Sequence, residues 1–319
     1  MSRPWLAHYD YWVPPHLTYP EQPLYEILDA VAIDIPDRPA IAFMGSTVTF
    51  RTLKSRADCL ATELARLGLT TGDRVGIMLP NCPQYVIAAF AVLRLGGVVV
   101  NLNPAYTRRE LVGIAHDSGL RVLITLDTLA EVALAGQAST AIAHVVVTSL
   151  GEYAATSCRP PDVPGTLRLA DLTTGGAVRA PRVRARVSPD DLAVLQYTGG
   201  TTGAPRGVML THRSLFANVV QTEVFTERVR TRGEARYLMV IPYSHVFGFT
   251  VGLLKGVWVG ALQVLLPRFD PEAMLAAIRD QAPTYVPGVP TIYTSLLAHP
   301  RAEEYGLDRV RLFTSGAAP

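Results

Sequence analysis

Apolar positions alternate between helical and strand-like spacing from residue 51 to residue 125. The first helical stripe stops at Gly68, and after a turn the apolar run 75–79 follows it. The stripe is formed by Leu53, Ala57, Leu60, Leu64 and Leu67. The pattern therefore predicts a helix followed by a buried strand.

Two further helix–strand units follow in the same region. Residues 84–95 are apolar on nearly every helical face and end at two glycines, as expected of a helix covered by a sheet and its neighbours. The runs 98–102 and 122–125 are predicted strands. Between them Thr107 and Glu110 have the spacing of a capping box, which predicts a helix through Ser118. Such alternation predicts a parallel sheet with helices on its faces.

The chain changes character between about residue 150 and residue 190, where prolines, glycines and threonines replace the apolar runs. We interpret this stretch as a connection, with an α/β subdomain over 1–150, the connection over 151–189 and a second α/β subdomain over 190–319. The second set of predicted elements is strand 192–197, a helix from 213, strand 237–241, helix 247–258, strand 262–266, helix 271–280 capped by Asp270, and strand 310–314. The predicted fold class is α/β, with two stacked subdomains whose largely parallel sheets are flanked by helices.

Composition excludes several classes of protein. Hydrophobic residues make up 49% and charged residues 18% of the 319 residues, and the mean hydropathy of +0.23 excludes disorder. A formal net charge of +2 provides no basic field, so we expect no nucleic-acid partner. A run of arginines in the connection fits a solvated surface strand better than a phosphate patch; it consists of Arg179, Arg182, Arg184 and Arg186.

Cysteine and histidine spacings indicate neither disulfides nor a metal site. Cys59, Cys82 and Cys158 include no CxxC pair, and the seven histidines show no HxxxH or HExxH spacing. We expect a reducing cytosol and, because no apolar stretch follows the first arginine, no signal peptide. The stretch 247–266 has nearly the length of a membrane span, but Lys255 and four glycines favour a buried helix and a strand. Peripheral membrane contact stays open.

The segment 195–212 carries the clearest chemistry. A predicted buried strand runs into three glycines, three threonines and Arg206. Glycines let the main chain approach an anion, hydroxyls donate hydrogen bonds and arginine supplies charge, so this composition predicts a phosphate-binding loop. The spacing fits neither a Walker A loop nor a Rossmann fingerprint. A glycine-rich surface hairpin is the alternative that composition leaves open.

The order of residues at 197–212, YTGGTTGAPRG followed by VMLTH, resembles the signature loop of the AMP-forming adenylating enzymes. Other segments of the chain stand in the order of that family, namely 79–85, 96–97, 101–107, 242–247, 286–290 and 314–319. Within the family the chain is most similar to long-chain fatty acid–CoA ligases, through the segments 5–9, 13–20, 101–111 and 195–203.

The resemblance implies a set of site residues. The β- and γ-phosphates of ATP would contact Thr198, Gly199, Gly200, Thr201, Thr202, Gly203 and Arg206, although the family usually has lysine at the last position. Adenine would lie against Gly316, Ala317, Ala318 and Pro319. His245 would occupy the junction of the acyl and nucleotide pockets as the candidate catalytic residue, or be a packed core histidine. The candidate acyl-chain walls, which plain core packing explains nearly as well, are Val246, Phe247, Gly288 and Val289.

The resemblance also implies an activity, an AMP-forming acid–CoA ligase that uses ATP, Mg²⁺ and CoA. The family's magnesium-binding motif, ribose-binding aspartate and catalytic lysine would come after Pro319, and neither Lys54 nor Lys255 matches that lysine. We therefore expect an incomplete N-terminal domain that is inactive alone and whose substrates are small molecules. Two alternatives stay open: a domain that activates aryl or amino acids, and an inactive remnant with weak nucleotide binding.

Overall fold

Two mostly parallel β-sheets dominate the computed structural model, which describes residues 3–174, 185–198, 205–226 and 232–317. Within these ranges the strands β1 to β13 span, in chain order, Pro39–Phe43, Ser46–Thr49, Arg74–Met78, Val98–Asn101, Leu120–Leu126, His144–Thr148, Leu167–Arg168, Leu192–Thr198, Arg206–Thr211, Arg236–Met239, Leu262–Leu265, Tyr285–Gly288 and Leu312–Ser315. The helices α1 to α10 span Tyr25–Asp34, Phe50–Arg66, Pro83–Leu95, Arg108–Ser118, Ala130–Gln137, Leu169–Thr174, His212–Thr226, Lys255–Trp258, Pro271–Gln281 and Pro290–Leu297. A π-helix over Gly248–Leu254 runs directly into α8, and short 3₁₀ helices lie at Pro4–His8, Asp127–Leu129, Leu150–Tyr153, Ala302–Tyr305 and Leu307–Arg309.

The larger sheet has seven strands in the order β7-β6-β5-β3-β4-β8-β9. All neighbours pair in parallel except β8 and β9, which form an antiparallel hairpin. Every residue of β4 is buried, because helices cover both faces of the parallel strands. The parallel sheet that helix–strand alternation predicted for residues 51–125 is therefore confirmed.

The smaller sheet has six strands in the order β13-β12-β10-β11-β1-β2. Its strands pair in parallel apart from the hairpin of β1 and β2. That hairpin turns at Met44 and Gly45, both of which have positive φ angles, as a two-residue turn between right-twisted strands requires. The sequence analysis did not identify this hairpin.

The two sheets cross the predicted subdomain boundaries. β8 and β9 belong to the predicted second subdomain, yet they extend the larger sheet through the pairing of β8 with β4. β1 and β2 belong to the predicted first subdomain, yet they join the smaller sheet through the pairing of β1 with β11. Local hydrophobic patterns predict where a strand lies in the sequence, but they do not predict which strand it pairs with. The division into subdomains, which was based on such patterns, remains a prediction. Of the arginines in the predicted connection, Arg186 is exposed, and the other three lie outside the described residues.

One hydrophobic core joins the inner faces of both sheets. It contains side chains of α1, α2, α3, α7 and the π-helix together with strands of each sheet. All 13 residues of α3 are buried, in agreement with its apolar sequence. Separate clusters lie under α4 and α5 on the outer face of the larger sheet and under α9 and α10 on that of the smaller. The predicted fold class, α/β with helices flanking two largely parallel sheets, is confirmed.

Helix ends follow their local sequence signals closely. The Thr107 side chain accepts a hydrogen bond from the Glu110 amide, and the Glu110 carboxylate accepts one from the Thr107 amide at 2.8 Å, which completes the predicted capping box. Asp270 accepts from the amide of Ala273 at 2.9 Å at the start of α9. None of the helices among the described residues combines the length and the apolar character that crossing a membrane would require.

The predicted helix over 247–258 is a π-helix for most of its length. A side chain at Gly248 would collide with the carbonyl of Pro242, so the main chain approaches the segment after β10 more closely than any larger residue allows. π-helices are rare and occur often at functional sites. Here the π-helix follows the segment that contains His245.

Candidate active site

A cavity of about 490 Å³ lies at the carboxyl ends of strands from both sheets. Its lining consists of Asn103, Tyr106, Gln196, Tyr197, Thr198, Ile241, Pro242, Ser244, His245, Val246, Val289 and Ala317. These residues end or directly follow the strands β4, β8, β10, β12 and β13. Because ligands of open α/β sheets bind outside the carboxyl ends of the strands, the topology alone marks this cavity as the candidate active site.

The cavity brings together residues that the sequence analysis selected from distant parts of the chain. Thr198, His245, Val246, Val289 and Ala317 all line it. Predicted site residues outside the described part of the chain are Gly199, Gly200, Thr201, Thr202, Gly203, Ala318 and Pro319. One cavity therefore joins the predicted phosphate, adenine and acyl positions.

The hairpin of β8 and β9 places the two described ends of the predicted phosphate loop. Thr198 ends β8 directly opposite Arg206, the first residue of β9, and both residues are exposed. Tyr197 packs across the hairpin on Gly207, where an added side chain would lie 3.0 Å from the Tyr197 ring, and its hydroxyl donates to Asp117 on α4. The base of the loop is thus fixed to the sheet, and Arg206 is exposed and is not one of the residues that line the cavity.

His245 lies in the cavity wall in a defined protonation state. Its Nδ1 accepts a hydrogen bond from the Phe247 amide at 3.2 Å, and desolvation of the ring lowers its pKa. A lowered pKa keeps the imidazole neutral at pH 7, and because Nδ1 is the acceptor, the proton is on Nε2. His245 therefore presents a neutral N–H donor.

The predicted wall residues Phe247 and Gly288 lie behind the cavity lining. The Gly316 amide donates to the Gly288 carbonyl at 3.2 Å, and a side chain at Gly316 would lie 3.4 Å from the Phe247 ring. Beside Gly288 the structure differs from expectation, because a side chain there would lie only 2.5 Å from the ring of Tyr293. The space expected for a ligand is filled by that ring, and the role of Gly288 in the acyl pocket remains a prediction.

The sequence analysis did not assign several residues that line the cavity. They are Asn103, Tyr106, Gln196, Tyr197, Ile241, Pro242 and Ser244. All except Ile241 lie inside the segments that carried the family resemblance. The resemblance therefore included these residues, but it did not assign a role to each side chain. Burial raises the pKa of Tyr106, which therefore stays a neutral hydroxyl in the wall.

The described part of the site contains no arrangement that would hold a metal ion by itself. Among the described residues, no group of three or more His, Cys, Asp or Glu side chains has a suitable arrangement. The described residues that line the cavity include no carboxylate. The neutral donors and acceptors of the lining suit an organic ligand with a phosphate or carboxylate group.

Comparison with known proteins identifies the family. The family model described as AMP-binding enzyme matches residues 28–319. The chain belongs to this family. The resemblance to AMP-forming adenylating enzymes is thereby confirmed.

Curated and solved relatives agree with that assignment. The chain is 37% identical to a long-chain-fatty-acid–CoA ligase of Bacillus subtilis, over 99% of this chain and 59% of the relative. The crystal structure of a long-chain-fatty-acid–CoA ligase (FadD1) from Archaeoglobus fulgidus superimposes with a TM-score of 0.82 at 27% identity, over 98% of this chain and 60% of that one. ATP-bound MatB from Rhodopseudomonas palustris gives a TM-score of 0.79 at 28% identity, over 94% and 56%. The chain thus spans about three-fifths of the length of the relatives it matches.

Proposed function

We propose that this chain is the ATP- and acid-binding part of an AMP-forming fatty acid–CoA ligase. The observation that carries the proposal is the convergence of Thr198, His245 and Ala317 on one cavity. These residues come from the predicted phosphate loop, the acyl–nucleotide junction and the adenine turn. The similarity to a fatty acid–CoA ligase of Bacillus subtilis supports the choice of acid.

The geometry suggests where each substrate binds. ATP would lie between the hairpin end at Thr198 and the turn at Ala317, and the acid would pass His245 toward the apolar side chains of Val246 and Val289. The acid carboxylate would attack the α-phosphorus, forming acyl-AMP as the bond to pyrophosphate breaks. The CoA thiol would then attack the acyl carbonyl and release AMP.

The described side chains would bind and orient the reactants in this scheme. The neutral His245 Nε2–H would donate to an anionic oxygen of the acid or of the α-phosphate. The Arg206 guanidinium, exposed beside Thr198, would lie against the charge that develops on the leaving pyrophosphate. ATP, Mg²⁺ and CoA belong to the proposal through the family; because the described lining includes no carboxylate, no step is assigned to the metal. A cytosolic location belongs to the proposal as well.

The lining also bears on the alternative of an amino-acid-activating domain. The ammonium group of an amino acid would require a carboxylate or several carbonyl partners when it leaves water. No acidic side chain lines the described cavity, whereas Ile241, Val246 and Val289 offer apolar contact. The cavity therefore favours an acyl or aryl acid.

The test is direct binding, because the chain spans only about three-fifths of the length of its relatives. Isothermal titration of the purified 319-residue chain would use three stable adenylate mimics, the sulfamoyl-adenosines of dodecanoate, benzoate and phenylalanine. We expect the dodecanoyl mimic to bind most tightly. Preference for the benzoyl or phenylalanyl mimic would instead assign the aryl- or amino-acid alternative, and no saturable binding by a folded chain would favour the inactive remnant.

A pair of histidine variants would locate the binding to this cavity. His245→Ala removes the proposed donor, and we expect about tenfold weaker binding of the dodecanoyl mimic, the loss typical of one hydrogen bond to an anion. His116→Ala is the matched control, because His116 is exposed on α4 away from the lining. Equal affinities of the two variants would contradict the placement of the ligand beside His245.

A further inference from the structure

The segment 240–245, which follows β10 and ends at His245, is bonded to side chains of the larger sheet's half of the molecule. Asn81, buried two residues before α3, donates to the carbonyls of Met239 at 3.2 Å and Ile241 at 3.0 Å. Its side-chain oxygen accepts from the Tyr243 amide at 2.8 Å. Met239 ends β10, whereas Ile241 and Tyr243 follow the strand, so these bonds satisfy main-chain groups beyond the sheet and give the first part of the segment a defined path.

The end of the segment, next to His245, is bonded by Gln196. The Gln196 side-chain nitrogen donates to the Ser244 carbonyl at 3.0 Å, and Gln196 is itself buried. Gln196 lies two residues before Thr198 on β8, so both side chains point to the same face of the strand. One residue of the phosphate hairpin thus contacts the residue that precedes the candidate catalytic histidine.

Two further buried side chains set the orientation of the Gln196 amide. Asn101 donates to the Gln196 oxygen at 3.0 Å. The Tyr85 hydroxyl lies 2.5 Å from the Asn101 oxygen and 2.9 Å from the Tyr243 carbonyl, so its proton is shared between them. Because the Gln196 oxygen must accept, its nitrogen faces Ser244. The network therefore has one consistent direction of donation.

We infer that Gln196 is a positioning residue that sets the distance between the phosphate side and the acid side of the cavity. The inference rests on the proposed function, because it concerns a ligand that joins the two sides. An acyl-adenylate joins the nucleotide side and the acid side of the cavity through one covalent phosphate, so it binds well only when the spacing between the two sides matches its own length. ATP alone or a fatty acid alone carries no covalent link between nucleotide and acid, so each depends less on that spacing.

The experiment compares Gln196→Met with Gln84→Met in the 319-residue chain. Gln84 is also buried, and its nitrogen donates to the Ser149 carbonyl at 2.8 Å, but it does not line the cavity. Each variant replaces a buried amide by an unbranched apolar chain of similar size. Gln196→Met leaves the Ser244 carbonyl without its side-chain donor, whereas in Gln84→Met the Ser149 carbonyl keeps the Glu152 amide at 3.1 Å. The two variants therefore share the type of substitution and differ in their relation to the site.

Binding is measured by titration with dodecanoyl sulfamoyl-adenosine, with ATP and with dodecanoate. For Gln196→Met we expect about tenfold weaker binding of the joined mimic, with ATP and dodecanoate each changed less than about threefold. For Gln84→Met we expect all three affinities to stay within about threefold of the original chain. An equal loss for all three probes in Gln196→Met, or the same selective loss in Gln84→Met, would overturn the inference.

A second measurement does not depend on a ligand. Hydrogen exchange followed by mass spectrometry should show faster exchange in the peptide 240–248 of Gln196→Met, whereas Gln84→Met should leave that peptide unchanged. If the original chain binds no adenylate mimic, the proposed function fails, and hydrogen exchange alone tests the positioning role of Gln196. Unchanged exchange in the peptide 240–248 of Gln196→Met would then overturn that role. If Gln196→Met does not fold, Tyr85→Phe removes one hydroxyl of the same network and should change both readouts in the same direction by less.

Discussion

His212 makes the stability of this chain depend on pH between about 6.5 and 4. It begins α7, is 1% exposed, and accepts a hydrogen bond at Nδ1 from the Leu24 amide at 3.1 Å. Burial lowers its pKa from 6.5 to about 4, and the nearby charge of Asp191 opposes that shift only partly. The folded chain therefore contains a neutral histidine that bonds the N-terminal segment to α7.

The sign follows from which state takes up the proton. In the unfolded chain the histidine binds a proton near pH 6.5, whereas in the folded chain it resists protonation until about pH 4. The contribution to stability is therefore complete above pH 6.5 and is lost as the pH falls from there toward 4. Between pH 7.5 and pH 5.5 these two pKa values predict a loss of about 1 kcal/mol in the free energy of unfolding.

The assay is urea unfolding of the 319-residue chain at pH 7.5, 6.5 and 5.5. His212→Asn offers a carbonyl oxygen to the Leu24 amide but does not titrate, so we expect this variant to lose about 1 kcal/mol less than the original chain over that range. Contributions of all other titrating groups cancel in the comparison.

An identical pH dependence in His212→Asn and the original chain would refute the reasoning. That result would mean that the buried imidazole is protonated in the folded state or that the histidine remains desolvated after unfolding. A pH-independent drop in stability, the same at all three values, would show only that asparagine packs less well.

Three further substitutions test single contacts. Arg206→Ala should weaken ATP binding about tenfold or more and leave dodecanoate binding unchanged, and Arg206→Lys should stay close to the original. Arg74→Ala, at the amino end of the central strand β3, is the control, and unchanged ATP binding in Arg206→Ala would remove Arg206 from the site. Gly288→Ala should lower the free energy of unfolding by about 1–3 kcal/mol because its Cβ meets the Tyr293 ring, and a stable variant would show that the ring can move. Thr107→Ala should cost about 1 kcal/mol in urea unfolding through loss of the capping box, and no change would mean that water replaces the cap.

Local signals in the sequence predicted local structure well. The apolar run 84–95 became a helix buried along its whole length, and Thr107 with Glu110 marked a helix start. Each of these signals acts within a few residues, through backbone hydrogen bonds or burial of one helical face. The buried strand predicted over 192–197 is present as β8, and Thr198 at its end pairs with Arg206 on β9.

Strand partners could not be predicted in the same way. The run that became β1 satisfies its hydrogen bonds with β11, more than two hundred residues later in the chain, and β8 pairs with β4 across the predicted connection. The hydrophobic period and the composition of a strand are the same whichever strand of similar hydrophobicity it pairs with. Neither could therefore show that each sheet takes strands from both predicted subdomains. The cavity is lined by the ends of strands from both sheets, so its formation depends on these long-range strand pairings.

Gly288 and Gln196 show that sequence motifs alone do not describe the candidate site. Gly288, the last residue of β12, was a candidate wall of the acyl pocket, but the group that lies close to it in the fold is Tyr293, only five residues later on α10. Gln196 sits inside the signature segment, yet an isolated amide in an apolar strand does not reveal what it bonds. Only its contacts with Asn101 and Ser244, 95 and 48 residues away, show that it connects the two halves of the cavity. Motifs can therefore identify side chains that face a ligand, because the chemistry of the ligand restricts the residue type. The side chains that set the spacing between those residues depend instead on hydrogen-bond partners that only the folded chain brings together.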